Sequence, residues 1–221
     1  EKLIQFKGNP REGKFVEYVN FHNLAMGYTN FNLPWGDCNN SQGSASVSAC
    51  IDMTGTRHCS IEQCKLYNLG TFAVELFDGC TFNRFCGNQL ENLAAGGFRL
   101  RGTEPGNLPS LRTGNNTFSD NTIAYYGLTY PSAVGILVMH SDCNPIAHNL
   151  IHHGDYTGIS VGWSWGYQRS AARNNLIEQN HIHDIGYHNL LSDMGGIYTL
   201  GLSPGTAVRN NLVHDVNANR Y

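Results

Sequence analysis

The sequence predicts an all-β chain wound into a parallel solenoid. Three observations lead there: a composition rich in Asn and Gly and poor in charge, an Asn anchor that recurs about every 30 residues, and a second recurring anchor in which Gly opens an alternating apolar strand. The 221 residues include 25 Gly and 25 Asn, and only 14% are charged, against roughly 25% in ordinary globular chains. Such a composition favours short strands joined by tight turns over helices. The net charge of −3 gives no electrostatic footprint for nucleic acid or an anionic membrane. No apolar run approaches the ~18–20 residues of a membrane helix. Neither nucleic acid nor membrane is therefore expected as a partner. Apolar and aromatic residues recur throughout, which excludes a disordered chain.

The first 55 residues carry the pattern least clearly. Cys38 and Cys50 flank a Ser-, Asn- and Gly-rich stretch, and a disulfide between them is one expectation. Cys59, Cys64, Cys80 and Cys86 sit in strand-like segments and read as small buried residues stacked in a core. No CxxC pair exists, which argues against a zinc ribbon. From there the Asn anchor falls at Asn88, Asn116, Asn149, Asn180 and Asn211, with an apolar residue two positions after each: Leu90, Phe118, Ile151, Ile182 and Val213. The Gly anchor is Gly97, Gly135, Gly158 and Gly196, each followed by an in/out strand such as Ile136-Leu137-Val138. A coil with one apolar row cannot bury that row alone, so coils must stack, and equivalent residues then form columns. Asn suits a corner column because it tolerates the left-handed backbone region and its amide can bond to the coils above and below. Ile136, Ile159 and Ile197 are expected to stack inside, and Arg99, Leu137, Ser160 and Tyr198 to share an outward column. The coils are best defined over 56–216 of a single domain spanning 1–221. The chain opens mid-pattern at Glu1 and stops at Tyr221 without a polar tail, which reads as a fragment lacking C-terminal coils.

Three stretches carry a resemblance: Tyr156-Thr-Gly-Ile-Ser-Val-Gly-Trp-Ser-Trp-Gly-Tyr167, Asn180-His-Ile-His-Asp-Ile-Gly186 and Leu191-Ser-Asp-Met-Gly-Gly-Ile-Tyr-Thr-Leu-Gly201. They resemble the bacterial right-handed parallel β-helix glycoside hydrolases, nearest to glycoside hydrolase family 141 with its α-L-fucosidase and xylanase activities. The resemblance covers most of the chain and implies a right-handed parallel β-helix, a secreted or periplasmic polysaccharide-degrading enzyme, a polysaccharide or oligosaccharide substrate, no cofactor, and Asp193 as one of two essential acids. In that family the second acid lies in the coil beyond Tyr221.

The residues themselves add candidates. Asp193 lies four positions before Ile197 and Asp155 four before Ile159, so the register expects their carboxyls about 5 Å apart on adjacent coils. Two carboxyls that close would split their pKa values, as an acid and nucleophile pair needs. Asp turns capped by their own backbone are the plain alternative. Trp163, Trp165 and Tyr167, separated by small residues, read as a sugar-stacking platform or else as a cluster capping a loop. His140 and Trp163 share a position four after the strand Ile, and with Tyr198 and Arg99 they complete the expected substrate-binding set. His152, His183 and His214 form a column, and His181 stands two before His183. This column is read as structural rather than as a metal site, so no metal is expected. Serine and cysteine nucleophile signatures are absent. Two rival functions remain: a polysaccharide lyase on the same fold, against which the 14 Lys and Arg and the lack of an acidic cluster weigh, and a non-catalytic glycan-binding β-helix.

Overall fold

The computed structural model describes residues 2–31 and 41–218. Among these, three seven-stranded parallel sheets form the walls of a helix of seven coils. Sheet A contains Ile4–Lys7, Ala49–Thr54, Phe72–Leu76, Phe98–Gly102, Ile136–His140, Ile159–Val161 and Ile197–Thr199. Sheet B contains Asn20–His22, Ser60–Glu62, Arg84–Cys86, Thr117–Ser119, Pro145–Ala147, Leu176–Glu178 and Ala207–Arg209. Sheet C contains Ala25–Gly27, Lys65–Leu69, Gln89–Leu93, Thr122–Tyr126, Leu150–Gly154, His181–Ile185 and Leu212–Val213. One strand from each sheet, taken in that order, makes one coil. Coiling begins at Ile4, well upstream of residue 56.

The strands are short because each must hand over to a corner after two to six residues. Their alternation sends one residue in two to the shared core. In sheet A the inward column runs Ile4, Ile51, Val74, Phe98, Ile136, Ile159, Ile197, each in parallel register with the next. Ile136 and Ile159 are fully buried, and Ile197 packs against the same core. In sheet C, Leu66, Leu90, Ile123, Ile151 and Ile182 do likewise. Rings meet where the walls converge: Phe85 and Phe118 of sheet B stack at 4.9 Å, and Phe98 of sheet A lies 5.0 Å from Phe118. Each such fully buried side chain contributes roughly 1.5–3 kcal/mol.

The corners contain two Asn ladders, not one. Asn88, Asn121, Asn149, Asn180 and Asn211 line the corner between sheets B and C. Asn83, Asn116, Asn144 and Asn175 line the corner between sheets A and B. The sequence anchor therefore mixed two columns: Asn116 belongs to the other corner, and Asn121 is the true neighbour of Asn88 and Asn149. Phe118 correspondingly stacks with Phe85 and Ile146, while Ile123 takes its place beside Leu90 and Ile151. Within a ladder each Oδ1 accepts both the backbone N–H and, in most steps, the side-chain N–H of the preceding coil's Asn. At Asn149 these are Asn121 N at 3.1 Å and Asn121 Nδ2 at 2.9 Å.

The left-handed conformation falls on the residue before each ladder Asn. Asn115, Asn174 and Asn210 have φ of 55°, 51° and 55°, which explains the doubled Asn: the first bends the chain and the second joins the ladder. Cys59 and Cys64 hold the ladder positions of the second coil, where their backbone N–H groups donate to Asn83 and Asn88. Both are buried free thiols, as are Cys50 and Cys80. Cys86 departs from the expected core set; it is half-buried, with its Sγ 3.3 Å from Ser119 Oγ. Cys50 Sγ lies 3.0 Å from both Thr29 Oγ1 and Thr71 Oγ1; Cys38, its expected disulfide partner, is outside the described residues. The Gly anchor has a packing cause as well. A Cβ on Gly97, Gly135 or Gly158 would stand 2.7 Å from the carbonyl oxygen of the equivalent glycine one coil on, closer than any real contact.

Candidate active site

The outward column of sheet A runs Asp52, Glu75, Arg99, Leu137, Ser160, Tyr198 in register. What lies over it changes along the helix. Across the early coils, residues 41–48 lie on the face. Arg99 is fully buried there, its Nε and Nη2 bound to Glu75 at 2.9 and 2.6 Å and its Nη1 to the carbonyls of Ser44 and Ala45 at 3.4 and 3.1 Å. Arg101 adds a third bond to Glu75, at 2.9 Å. Burial pulls the Arg99 guanidinium below its ordinary value, and the Glu75 carboxylate opposes that shift. Arg99 is thus an outward residue that no solute reaches, and the structure does not place it in a groove with the other candidates.

Over the next coils a small second core covers the face. Val134, Leu137, Met139 and Tyr156 are buried, with Ala45, Trp163, Leu191 and Met194 packed on them. Trp163 therefore belongs largely to packing. Trp165 meets it edge to face at 5.1 Å and is 53% exposed, and Tyr167 is 92% exposed. Tyr198 is half-buried beside Ser160 in the register.

Asp193 stands at the start of this open end. It is exposed, in the left-handed region with φ 56°. The buried Tyr156 hydroxyl donates to its carbonyl at 2.9 Å. Burial raises the Tyr156 hydroxyl, a side-chain hydrogen bond with Gln42 opposes this, and Asp193 and Tyr198 raise it further. Leu191 and Met194 anchor the 186–196 loop against the sheet so that Asp193 sits at its rim.

Asp155 has the same count from its isoleucine and the opposite environment. It is 2% exposed, and His188 from the same loop holds it: Nδ1 lies 3.0 and 3.1 Å from the two carboxylate oxygens and the backbone N–H donates at 3.4 Å. Its charge raises the buried Tyr126 hydroxyl, after burial itself. The structure gives Asp155 and Asp193 separate partners rather than presenting them as a facing pair.

His140 and Trp163 occupy equivalent places just beyond the registered Val138 and Val161. Their side chains part there. Trp163 folds onto the Leu137 cluster, and His140 lines a cleft of about 330 Å³ with Glu104, Leu108, Arg112, Asp142 and Arg173. Its Nδ1 is buried without a partner. Burial lowers the imidazole, and the Glu104 charge partly offsets this. Asp142 is buried and accepts from Arg112 Nε at 2.8 Å and Arg173 Nε at 3.3 Å. The cleft opens past the C-terminal ends of the sheet A strands, whereas Asp193 precedes them, so the two lie at opposite edges of one face. Glu104, Arg112, Asp142, Tyr156, His188 and Arg173 were not legible beforehand, because they come from turns of unequal length with no shared spacing. No group of three or more His, Cys, Asp or Glu side chains among the described residues is arranged to hold a metal.

The model of the right-handed β-helix region matches residues 49–219. No curated protein sequence matches the chain. Among solved structures, one titled "Glycoside hydrolase" superposes with a TM-score of 0.81 at 21% identity over 98% of this chain; the chain spans 42% of that protein's length. An alginate lyase from Paenibacillus sp. str. FPU-7 aligns over 77% of this chain and 72% of its own, at 13% identity and a TM-score of only 0.35. With parallel sheets in register and a matching model over most of its length, the chain belongs to the right-handed β-helix family.

Proposed function

We propose that this chain is part of a glycoside hydrolase that binds a polysaccharide or oligosaccharide across the open end of sheet A. The observation that carries the reading is the exposed Asp193, tied to the sheet A face by the Tyr156 hydroxyl at its backbone carbonyl, with Tyr198 half-buried in the outward column and Trp165 exposed beside Trp163. Sugar rings stack on flat aromatic faces through their C–H sides, and hydrolysis of a glycosidic bond needs two carboxylic acids flanking it. Asp193 is one of them. Asp155 acts through His188 on the loop that carries Asp193. The likeness of the fold to a glycoside hydrolase, and the resemblance of the 156–215 stretch to family 141, support the same reading. A polymeric substrate would place the protein outside the cytoplasm.

A lyase is the second reading, and the cleft favours it: two guanidiniums and a histidine gather where a uronate carboxylate and a base would meet. Incubation of the full-length protein with neutral and acidic polysaccharides, followed by product NMR, separates the readings. A hydrolase yields reducing ends alone, a lyase yields unsaturated ends absorbing in the ultraviolet, and a binding module yields neither. In an active hydrolase, Asp193→Asn should lower turnover by several orders of magnitude with an unchanged circular dichroism spectrum, because the amide keeps the shape and loses the proton and charge. Asp155→Asn should be mild. Wild-type turnover in Asp193→Asn would remove the assignment.

A further inference from the structure

The cleft around Asp142 has the parts of a recognition site for a charged sugar. Its volume of about 330 Å³ falls within the roughly 300–1,000 Å³ of small-ligand pockets. Pro105, Leu108, Pro109 and Ala171 give it an apolar lining. Asp142, 4% exposed, takes both neighbouring guanidiniums by Nε: Arg112 at 2.8 and 3.1 Å from its two oxygens, and Arg173 at 3.3 Å from the second. Held by Nε, each guanidinium keeps its two Nη groups for other partners. Arg112 turns its pair to the side-chain amide of Asn115, 3.2 and 3.1 Å away. The pair of Arg173 has no partner among the described residues, and that side chain is 57% exposed. Two guanidiniums on one carboxylate leave one net positive charge. His140 adds none near pH 7, because burial holds it below its ordinary value. Glu104 also lines the cleft, but it is exposed and its charge is screened by water and salt. The segment 162–175, which supplies Ala171 and Arg173, also carries the exposed rings of Trp165 and Tyr167. Anion donors and stacking surfaces thus lie on one stretch of chain.

We propose that this cleft is a binding subsite for a uronic acid residue of the glycan, with Arg173 Nη1 and Nη2 donating in parallel to the sugar carboxylate. The planar fork of a guanidinium matches the two oxygens of a carboxylate, whereas a neutral sugar offers it single hydroxyls. Asp142 is the positioning group that fixes the fork, and the apolar lining packs against the C–H side of the ring. The inference rests on the glycan reading above but on neither reaction, since a subsite of this kind serves a hydrolase and a lyase alike. It adds the substrate class: an acidic rather than a neutral polysaccharide.

The test is calorimetric titration of the full-length protein, carrying Asp193→Asn to prevent turnover, with trisaccharides of galacturonate, glucuronate and mannuronate. Each is compared with its methyl ester, which keeps the skeleton and removes the charge. At least one acid should bind at least about tenfold more tightly than its ester. Arg173→Gln should remove that difference with an unchanged circular dichroism spectrum, and Arg173→Lys should restore only part of it, because an ammonium is a point charge and not a fork. Glu104→Gln should tighten binding of the acid by about two- to fivefold and leave the ester unaffected, a gain that a damaged fold would not give. Equal affinity for acid and ester in all three sugars, or an Arg173→Gln protein that binds the acid as tightly as its parent, would overturn the subsite. Acid binding without turnover of any polysaccharide by the wild type supports the subsite and removes the hydrolase reading. Turnover of a neutral polysaccharide with no preference for the acid trisaccharides does the reverse.

Discussion

Arg99 shows how a charge survives in a nearly dry wall. Glu75 and Arg99 are 1% and 0% exposed, and Arg101 completes a group in which one carboxylate serves two guanidiniums. Removing one member of a buried pair leaves an uncompensated charge, at a cost of about 3–5 kcal/mol. Glu75→Gln should therefore cost about that much in urea unfolding. Arg99→Met should cost less, because Arg101 still faces Glu75. His140 supplies a pH-dependent counterpart. Its imidazole is held below the ordinary histidine value chiefly by burial. The unfolded chain, with an ordinary value of about 6.5, takes up a proton at a higher pH than the folded chain does. The stability tied to neutral His140 is thus complete above that value and lost as the pH falls below it. Thermal unfolding at pH 7.5 and 5.5 should show a smaller acid-induced drop for His140→Gln than for the wild type.

The Asn ladders are the cooperative element of the fold. Asn149 accepts from two N–H groups of Asn121 and donates to Asn180, Phe118 and Ala147, all in buried or partly buried surroundings. Asn149→Ala leaves these groups without partners where water does not enter, and each orphaned group costs about 1–3 kcal/mol. We expect a loss of about 2–4 kcal/mol by calorimetry, after partial relaxation. Asn217→Ala, exposed, should stay within about 0.5 kcal/mol. The residue before each ladder Asn is bent into the left-handed region, a local cost that the ladder bonds offset.

The molecule as a whole is a stack whose interior repeats while its cover does not. Residues 41–48 and 186–196 lie across sheet A at different heights, and the open stretch of that sheet is what they leave uncovered. The core also shelters thiols. Burial pushes Cys80 up to about 11 and raises Cys59 as well. A thiol in that state is a poor nucleophile at pH 8. Mass spectrometry after brief native labelling with iodoacetamide should find Cys86 and Cys143 modified and Cys50, Cys59, Cys64 and Cys80 intact, all six reacting after denaturation. Modification of Cys80 in the native protein would contradict the sealed core.

The coil, its parallel stacking and the inward isoleucines were legible in the order of residues, because alternation and column-forming Asn and Gly are local demands that every coil must meet. The assignment of each Asn to a corner was not. Two ladders share one coil, and a spacing of 28 or 33 residues does not say which corner the chain has reached. Nor was the fate of the outward column. Arg99 and Tyr198 share a register position, yet one lies sealed beneath residues 41–48 and the other stands half-open, because solvent access depends on which distant loop crosses the face. The same holds for Asp155 and Asp193, equal in count and opposite in setting once His188 closes on the first, and for the cleft that joins Arg112, His140, Asp142 and Arg173. Strand periodicity tells whether a side chain leaves the wall; the packing of segments far apart in the chain decides what it meets outside.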